Sequence, residues 1–252
     1  MTRIGYRSIS SGSKGNCSIL WDDENLLVFD FGISLRRFKN PVLDLGLSMD
    51  NVSVFITHEH SDHSSGLGIL KKNIKADLYT REKTALAIGM ESYTIKSELV
   101  LGNFKVSAVS VSHDAADPVA YIVENGNAKI SIVSDLGFPN EELISKMKGS
   151  EILAVEANHD IGMLMDGSYP QNLKRRISSN HGHLSNDQSA DLIGRVCESN
   201  SEIILTHLSQ ENNTPELATT TVRTYLEKNR IKYRSISYAS QSDGSRIYYL
   251  EV

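Results

Sequence analysis

The 252-residue sequence predicts a mixed α/β fold. Three observations carry that expectation. Short runs rich in β-branched and aromatic residues recur in both halves of the chain, and segments with helical start signals lie between and after them. The two kinds do not alternate as strictly as a pure βαβ series would. No repeat period, low-complexity tract or Pro/Gly-rich linker divides the chain, so one domain over residues 1–252 is the economical expectation.

In chain order, the expected strands cover residues 5–9, 18–21, 26–29, 52–57, 104–111, 119–123, 129–133, 152–155, 203–206, 234–238 and 246–250. The run Lys105-Val106-Ser107-Ala108-Val109-Ser110-Val111 alternates as a half-buried strand does. Asn125-Gly126-Asn127, between two such runs, is a hairpin signal. Ser185-Asn186-Asp187-Gln188 reads as a capping box that opens a helix through about residue 198. Thr214-Pro215 supplies an N-cap and first-turn proline for a helix through about residue 228. Residues 64–73 and 141–148 are further helical candidates.

Composition narrows the function classes. With 40% hydrophobic and 23% charged residues, the chain can bury a sizeable core and is not a disordered protein. Cys17 and Cys197 are too few for a disulfide framework and fit a reducing compartment. No apolar stretch approaches membrane-spanning length, and Met1-Thr2-Arg3-Ile4-Gly5 does not read as a signal peptide. A cytoplasmic protein without a membrane partner is expected. The net charge of -5 argues against bulk electrostatic attachment to nucleic acid, although bound cations would supply local positive charge. Arg36-Arg37-Lys39 and Lys71-Lys72 read as solvated helix faces, whereas Lys174-Arg175-Arg176 is a candidate for backbone-phosphate contact. No basic–aromatic stripe announces base stacking, so sequence preference is not expected.

The chemistry concentrates in His58-Glu59-His60-Ser61-Asp62-His63, directly after the apolar run 52–57. Imidazoles and a carboxylate suit divalent zinc, manganese or iron. On an extended segment alternate side chains share one side, so His58, His60 and Asp62 can converge, with His63 following after one change of direction. His113, Asp135 and His207 each stand just past the end of another apolar run. Strand ends on one edge of a sheet can deliver all of these to one cleft.

This pattern resembles the metallo-β-lactamase superfamily, as do Ser10-Ser11-Gly12-Ser13-Lys14-Gly15-Asn16-Cys17 and Val28-Phe29-Asp30-Phe31-Gly32 before the following helix. The segments Glu156-Ala157-Asn158-His159-Asp160, His181-Gly182-His183-Leu184-Ser185-Asn186 and His207-Leu208-Ser209-Gln210-Glu211-Asn212-Asn213 are similar to its YycJ (WalJ/VicX) group, which is associated with 5′-to-3′ DNA exonuclease activity. The resemblance implies an αββα sandwich of two mixed sheets flanked by helices, with a dinuclear site at one edge. His58, His60 and His113 would hold one metal, Asp62, His63 and His207 the second, and Asp135 would bridge. Cysteine often stands in the second site of zinc β-lactamases. Asp135 here follows the phosphodiesterase and hydrolase branches instead. The short stretch between Asp135 and His207 leaves no room for the large inserted domain of the bigger nucleases in the superfamily.

Two ions about 3.5–4 Å apart can share a water and lower its pKa towards about 7, which suits in-line attack on a phosphodiester. The poor leaving group then needs a general acid. His183 is the candidate acid and His181 a phosphate contact, beside free amides at the start of the capped helix. Asp62 counts with them as catalytic as well as ligating. Glu156 either orients an active-site histidine or is a structural carboxylate. His159 and Asp160 either bind or fix their loop, Asp30 supports the metal loop, and Asn212 and Asn213 read as turn and capping residues. Cys17 at a strand start and Cys197 on a helix face lack an adjacent base. The expected function is a metal-dependent phosphodiesterase acting on DNA as a 5′-to-3′ exonuclease. The alternative is a dinuclear hydrolase of a small phosphodiester, lactone or thioester. A non-catalytic scaffold would show missing ligands, and none is missing.

Overall fold

The computed structural model describes residues 3–252, so Met1 and Thr2 of the N-terminal segment lie outside the described residues. The first sheet takes β1 (Arg3–Ser10), β2 (Cys17–Trp21), β3 (Leu26–Phe29), β4 (Val52–Phe55), β5 (Ala76–Thr80) and β6 (Tyr93–Thr94). The second takes β7 (Glu98–Leu101), β8 (Phe104–Ser110), β9 (Val119–Asn125), β10 (Ala128–Val133), β11 (Ile152–Glu156), β12 (Glu202–Thr206) and β13 (Ser235–Tyr238). The last strand, β14 (Tyr248–Glu251), returns to pair with β1, giving the orders β14-β1-β2-β3-β4-β5-β6 and β13-β12-β11-β10-β9-β8-β7. Both sheets are mixed, as expected.

Helices cover the outer faces. The first sheet carries α1 (Leu35–Asp44), α2 (Ser61–Ser64), α3 (Leu67–Asn73) and α4 (Glu82–Ile88) in its connections. The second carries α5 (Glu141–Met147), α6 (Ile161–Asp166), α7 (Gln171–Ile177), α8 (Asn186–Val196) and α9 (Pro215–Lys228). The Ser185 capping box forms with both of its bonds, and Pro215 opens α9 behind the Thr214 cap. The hairpin also forms: Asn125 pairs with Ala128 across a tight turn in which Gly126 takes φ 57°.

Burial follows the layers. Ile4, Leu20 and Phe29 from one sheet meet Val106, Tyr121 and Ile204 from the other in the central core. Behind the first sheet, Val28 and Val54 pack on Phe38 and Val42 of α1 and Leu67 and Leu70 of α3. Behind the second, Leu153 and Leu205 pack on α5, α8 and α9 through Leu143, Ile193 and Val222. Strands covered on both faces read as apolar runs, which is why they were recognisable. The result is the helix–sheet–sheet–helix sandwich.

Strand direction places the site. β3 and β4 are parallel, so Asp30 and the hexapeptide leave the first sheet at the same end. β10, β11 and β12 are parallel, and β8 runs with them because both β8 and β10 oppose β9. His113, Asp135, Glu156 and His207 therefore emerge together.

Candidate metal centre

Just past the end of each of three strands the chain turns sharply and delivers a residue to the cleft. Asp30, Asp135 and His207 all have positive φ, at 59°, 54° and 53°, a conformation unfavourable for residues with a Cβ. Each such residue costs on the order of 1–3 kcal/mol unless its surroundings hold it. Here they do. The Asp30 carboxylate accepts from the Thr57 amide and hydroxyl, the Asp135 amide donates to Glu156 at 3.0 Å, and the His207 amide donates to Ser11 Oγ at 2.7 Å. Gly32 makes the closest passage: a Cβ there would stand 1.7 Å from the Asp62 carbonyl oxygen.

The hexapeptide is not wholly extended, contrary to the sequence reading. After His58 and His60 it turns into α2, which begins at Ser61 with His60 at its N-cap. Asp62 and His63 are thus delivered by a helical turn rather than by strand alternation. The consequence is the same convergence, with His63 fully buried and His60 and Asp62 half-buried towards the cleft.

Two donor groups face one another. His58 Nε2 and His113 Nε2 stand 3.0 Å and 3.4 Å from His60 Nδ1. Three imidazole nitrogens aimed at one point match a cation better than one another. Asp62 Oδ2 stands 3.4 Å from both His63 Nε2 and His207 Nε2. Asp135 lies between the groups, with Oδ2 2.9 Å from His63 Nε2 and Oδ1 3.9 Å from His113 Nε2. All seven residues singled out in the sequence are brought together in this way.

The opposite ring nitrogens are tied down, which fixes the rings. His63 Nδ1 donates to Asp30 at 2.7 Å, and His58 Nδ1 to Thr57 Oγ1 at 3.0 Å, whose hydroxyl in turn reaches Asp30. His113 Nδ1 donates to the Gly182 carbonyl at 3.0 Å. Glu156, fully buried, accepts from His183 Nδ1 at 2.9 Å and His207 Nδ1 at 3.2 Å, and from the Leu184 amide at 2.6 Å. Of the two sequence readings for Glu156, the structure supports the orienting one. Asp30 supports the loop as expected.

The charges are strongly coupled. Burial pushes His58 well below the ordinary imidazole range, with the neighbouring His63 charge acting in the same direction. Burial opposes protonation of His63, but Asp135 and Asp30 raise it well above that range. Burial acts likewise on His207, which Asp135, Asp62 and Glu156 raise to about 10. Burial alone would raise Asp135 and Glu156. The histidine charges instead hold Asp135 well down and Glu156 at about 2. Four buried or half-buried carboxylates, Asp30, Asp62, Asp135 and Glu156, thus gather protons onto His63, His183 and His207. Two divalent cations would balance the same four charges and use the same lone pairs. The residues fit a dinuclear metal group.

Other expectations need correction. Most amides at the start of α8 are already taken, which leaves Asp187 N for a phosphate. Leu184 N is taken by Glu156, Ser185 N by Gln188, Asn186 N by the His159 carbonyl and Gln188 N by Ser185. Lys174 does not belong to a basic surface, because it is 5% exposed and its Nζ donates to the Met165 carbonyl. Arg175 remains exposed, and Arg176 pairs with Asp114 at 2.5 Å. Cys197 caps the end of α8 rather than occupying its face.

His183 stands within the cluster, 3.4 Å from Asp135 Oδ1, its ring stacked on His207. His181 lies outside, exposed on the rim with Nδ1 2.9 Å from Ser112 Oγ. Asn213 clamps Asn186 and the Ala157 carbonyl, and Asp160 caps α6, both structural duties. Asn16 stands in the sequence only as one member of the motif 10–17. Its amide nitrogen reaches Asp62 Oδ2 at 3.2 Å and His63 Nε2 at 3.0 Å, so it borders the second donor group.

Comparison with known proteins agrees with this architecture. The family model described as the beta-lactamase superfamily domain matches residues 26–208. The exodeoxyribonuclease YycJ of Bacillus anthracis is 35% identical over 239 residues, covering 89% of this chain and 90% of its own. The exodeoxyribonuclease WalJ of Streptococcus pneumoniae is 32% identical over 234 residues, covering 86% and 87%. Among solved structures, the metallo-beta-lactamase fold protein YhfI from Bacillus subtilis superposes with a TM-score of 0.74 at 13% identity, over 99% of this chain and all of its own.

Proposed function

We propose that this chain, which belongs to the beta-lactamase superfamily and is a metal-dependent hydrolase, acts as a 5′-to-3′ DNA exonuclease with two divalent ions at the His/Asp centre. The observation that carries the reading is the pair of facing donor groups joined by Asp135, in a chain alike over nearly its whole length to relatives named exodeoxyribonucleases. His58, His60 and His113 would hold one ion, Asp62, His63 and His207 the other, with Asp135 between them. Manganese and zinc are the first candidates and iron the third. Bound there, the ions would polarise a phosphodiester, neutralise its non-bridging oxygens and activate a water as nucleophile.

The side chains supply the rest. Glu156 fixes the Nδ1 proton of His183 and so leaves Nε2 to carry a second proton. The same carboxylate raises the histidine above its ordinary range against the opposing effect of burial. A protonated His183 Nε2 can then be the donor to the departing 3′-oxygen. Asp62 faces the cleft as a ligand and, through Asn16, is held against rotation. His181 on the rim is placed for a phosphate away from the scissile bond. Two free cysteines and the lack, among the described residues, of a helix fit to cross a membrane are consistent with work in the cytoplasm.

The test uses chelator-stripped protein reloaded with manganese or zinc. It is given duplex and single-stranded DNA labelled at either end, beside a bis-aryl phosphate. Metal-dependent release of nucleotides from the 5′ end is expected. Hydrolysis of the aryl ester alone would move the protein to small substrates such as a cyclic phosphodiester, lactone or thioester. Release only from the 3′ end would reverse the polarity.

A further inference from the structure

We propose that Phe138 is a stacking platform for a nucleobase of the bound strand, an inference that rests on the nucleic-acid reading above. The chain has six phenylalanines, and the other five are 2% exposed or less. Phe138 is 56% exposed. It stands three residues beyond Asp135, on the turn that also buries Leu136.

The ring's place on the rim is fixed by its backbone. Phe138 forms an isolated antiparallel bridge with Ser112, the residue before His113, and Gly137 N donates to the Ser112 carbonyl at 2.8 Å. Directly paired residues project to the same face with Cβ atoms about 4.5–5.5 Å apart. The side chain opposite Phe138 is therefore Ser112, whose Oγ donates to the Asn180 carbonyl at 2.6 Å and meets His181 Nδ1 at 2.9 Å. The exposed His181 is thus bonded to the residue that pairs with Phe138. Beyond it the Asp114 amide donates to the His181 carbonyl, and Arg176 pairs with Asp114.

The turn is also held at both ends. A Cβ on Gly137 would stand 2.3 Å from the Asn180 carbonyl oxygen, so the two loops are in direct backbone contact. Two residues past Phe138, Asn140 caps α5 and donates to the Ser110 carbonyl. An aromatic face is thus presented on a fixed turn three residues from Asp135, against the loop that carries His181. The linear sequence shows no basic–aromatic stripe, but the fold sets this turn against the loop that follows Arg175 and Arg176. An exposed flat ring beside the centre that would take the phosphodiester is what an unpaired strand requires. Stacking accepts any base.

The experiment measures kcat/KM on single-stranded DNA with an abasic residue at the first, second or third position from the cut end, against the same strand with all bases. Wild-type protein is expected to prefer the intact strand by roughly 5- to 150-fold at one of the three positions. Phe138→Ala should bring that ratio near one, and Phe138→Trp should keep it, with metal content matched to wild type in both variants. No preference at any position, or an equal preference in Phe138→Ala, would overturn the platform while leaving the exonuclease reading in place. Absence of metal-dependent cleavage of every strand would overturn both.

Discussion

Glu156 carries more of the site than any other single residue outside the donor groups. A carboxylate with no exposure is tolerable only when paired and hydrogen-bonded, and this one accepts from Asp135 N, Leu184 N, His183 and His207. Glu156→Ala would strand those donors in the interior, and we expect a loss of about 3–5 kcal/mol in urea unfolding. Glu156→Gln keeps the shape but replaces one acceptor by a donor. It should fold while losing roughly 10- to 100-fold in metal affinity or activity, read by titration of the stripped protein and by rate. His183 poses a separate question, because its stack on His207 could be structural. As the general acid it matters only where the leaving group needs a proton. His183→Ala should therefore leave hydrolysis of a nitrophenyl ester nearly intact and slow cleavage of DNA by about 10²–10⁴-fold. Equal losses on both substrates would remove it from the acid role.

At the scale of elements, the site depends on how strands end. Asp30, Asp135 and His207 leave β3, β10 and β12 through positive φ, and Gly32 lets the next loop pass against the Asp62 carbonyl. Gly32→Ala should displace the α2 turn. The expected result is an overpacking loss of about 1–3 kcal/mol together with a weakened second metal position, visible as less than two ions per chain by elemental analysis. The sequence made the ligands legible because each sits at the end of an apolar run, and it made α8 and α9 legible through their caps. It concealed what lacks such marks. β6 is two exposed residues, and β7 alternates only between half-buried and exposed positions. α6 and α7 are too short to show a period. The turn into α2 was hidden because strand alternation and one helical turn can both bring residues 58–63 together. Asn16 was hidden because its partners lie 46 and 47 residues away.

The whole molecule is two half-structures whose site ends meet. The first sheet's connections supply His58, His60, Asp62 and His63, and the second sheet's supply His113, Asp135 and His207. Direct bonds across the seam include Val119 N donating to the Thr57 carbonyl, Tyr121 Oη to the Ile56 carbonyl and His207 N to Ser11 Oγ. Phe29 and Phe55 pack on Tyr121 just beneath them, closing the apolar core under the site. Cations held by donors from both sheets would add a cross-link that the unfolded chain cannot form. An ion at a hundred times its dissociation constant stabilises the native state by about 2.7 kcal/mol. For a chain of this size each kcal/mol is worth roughly 2–4 °C. Chelation should therefore lower Tm by about 5–10 °C for each site emptied, and manganese or zinc should restore it in proportion to concentration. The sign with pH follows from the ligands. Imidazole binds metal only when its lone pair is free, and His207 in the metal-free centre holds its proton up to about pH 10, so acid competes with the ion and the metal-dependent part of Tm should shrink steadily as pH falls below that value. The stripped protein should not show that shrinkage, and His60→Ala, which removes a donor from the first group alone, should halve the gain. An identical Tm with and without metal at neutral pH would mean that the two sheets are not joined through these side chains.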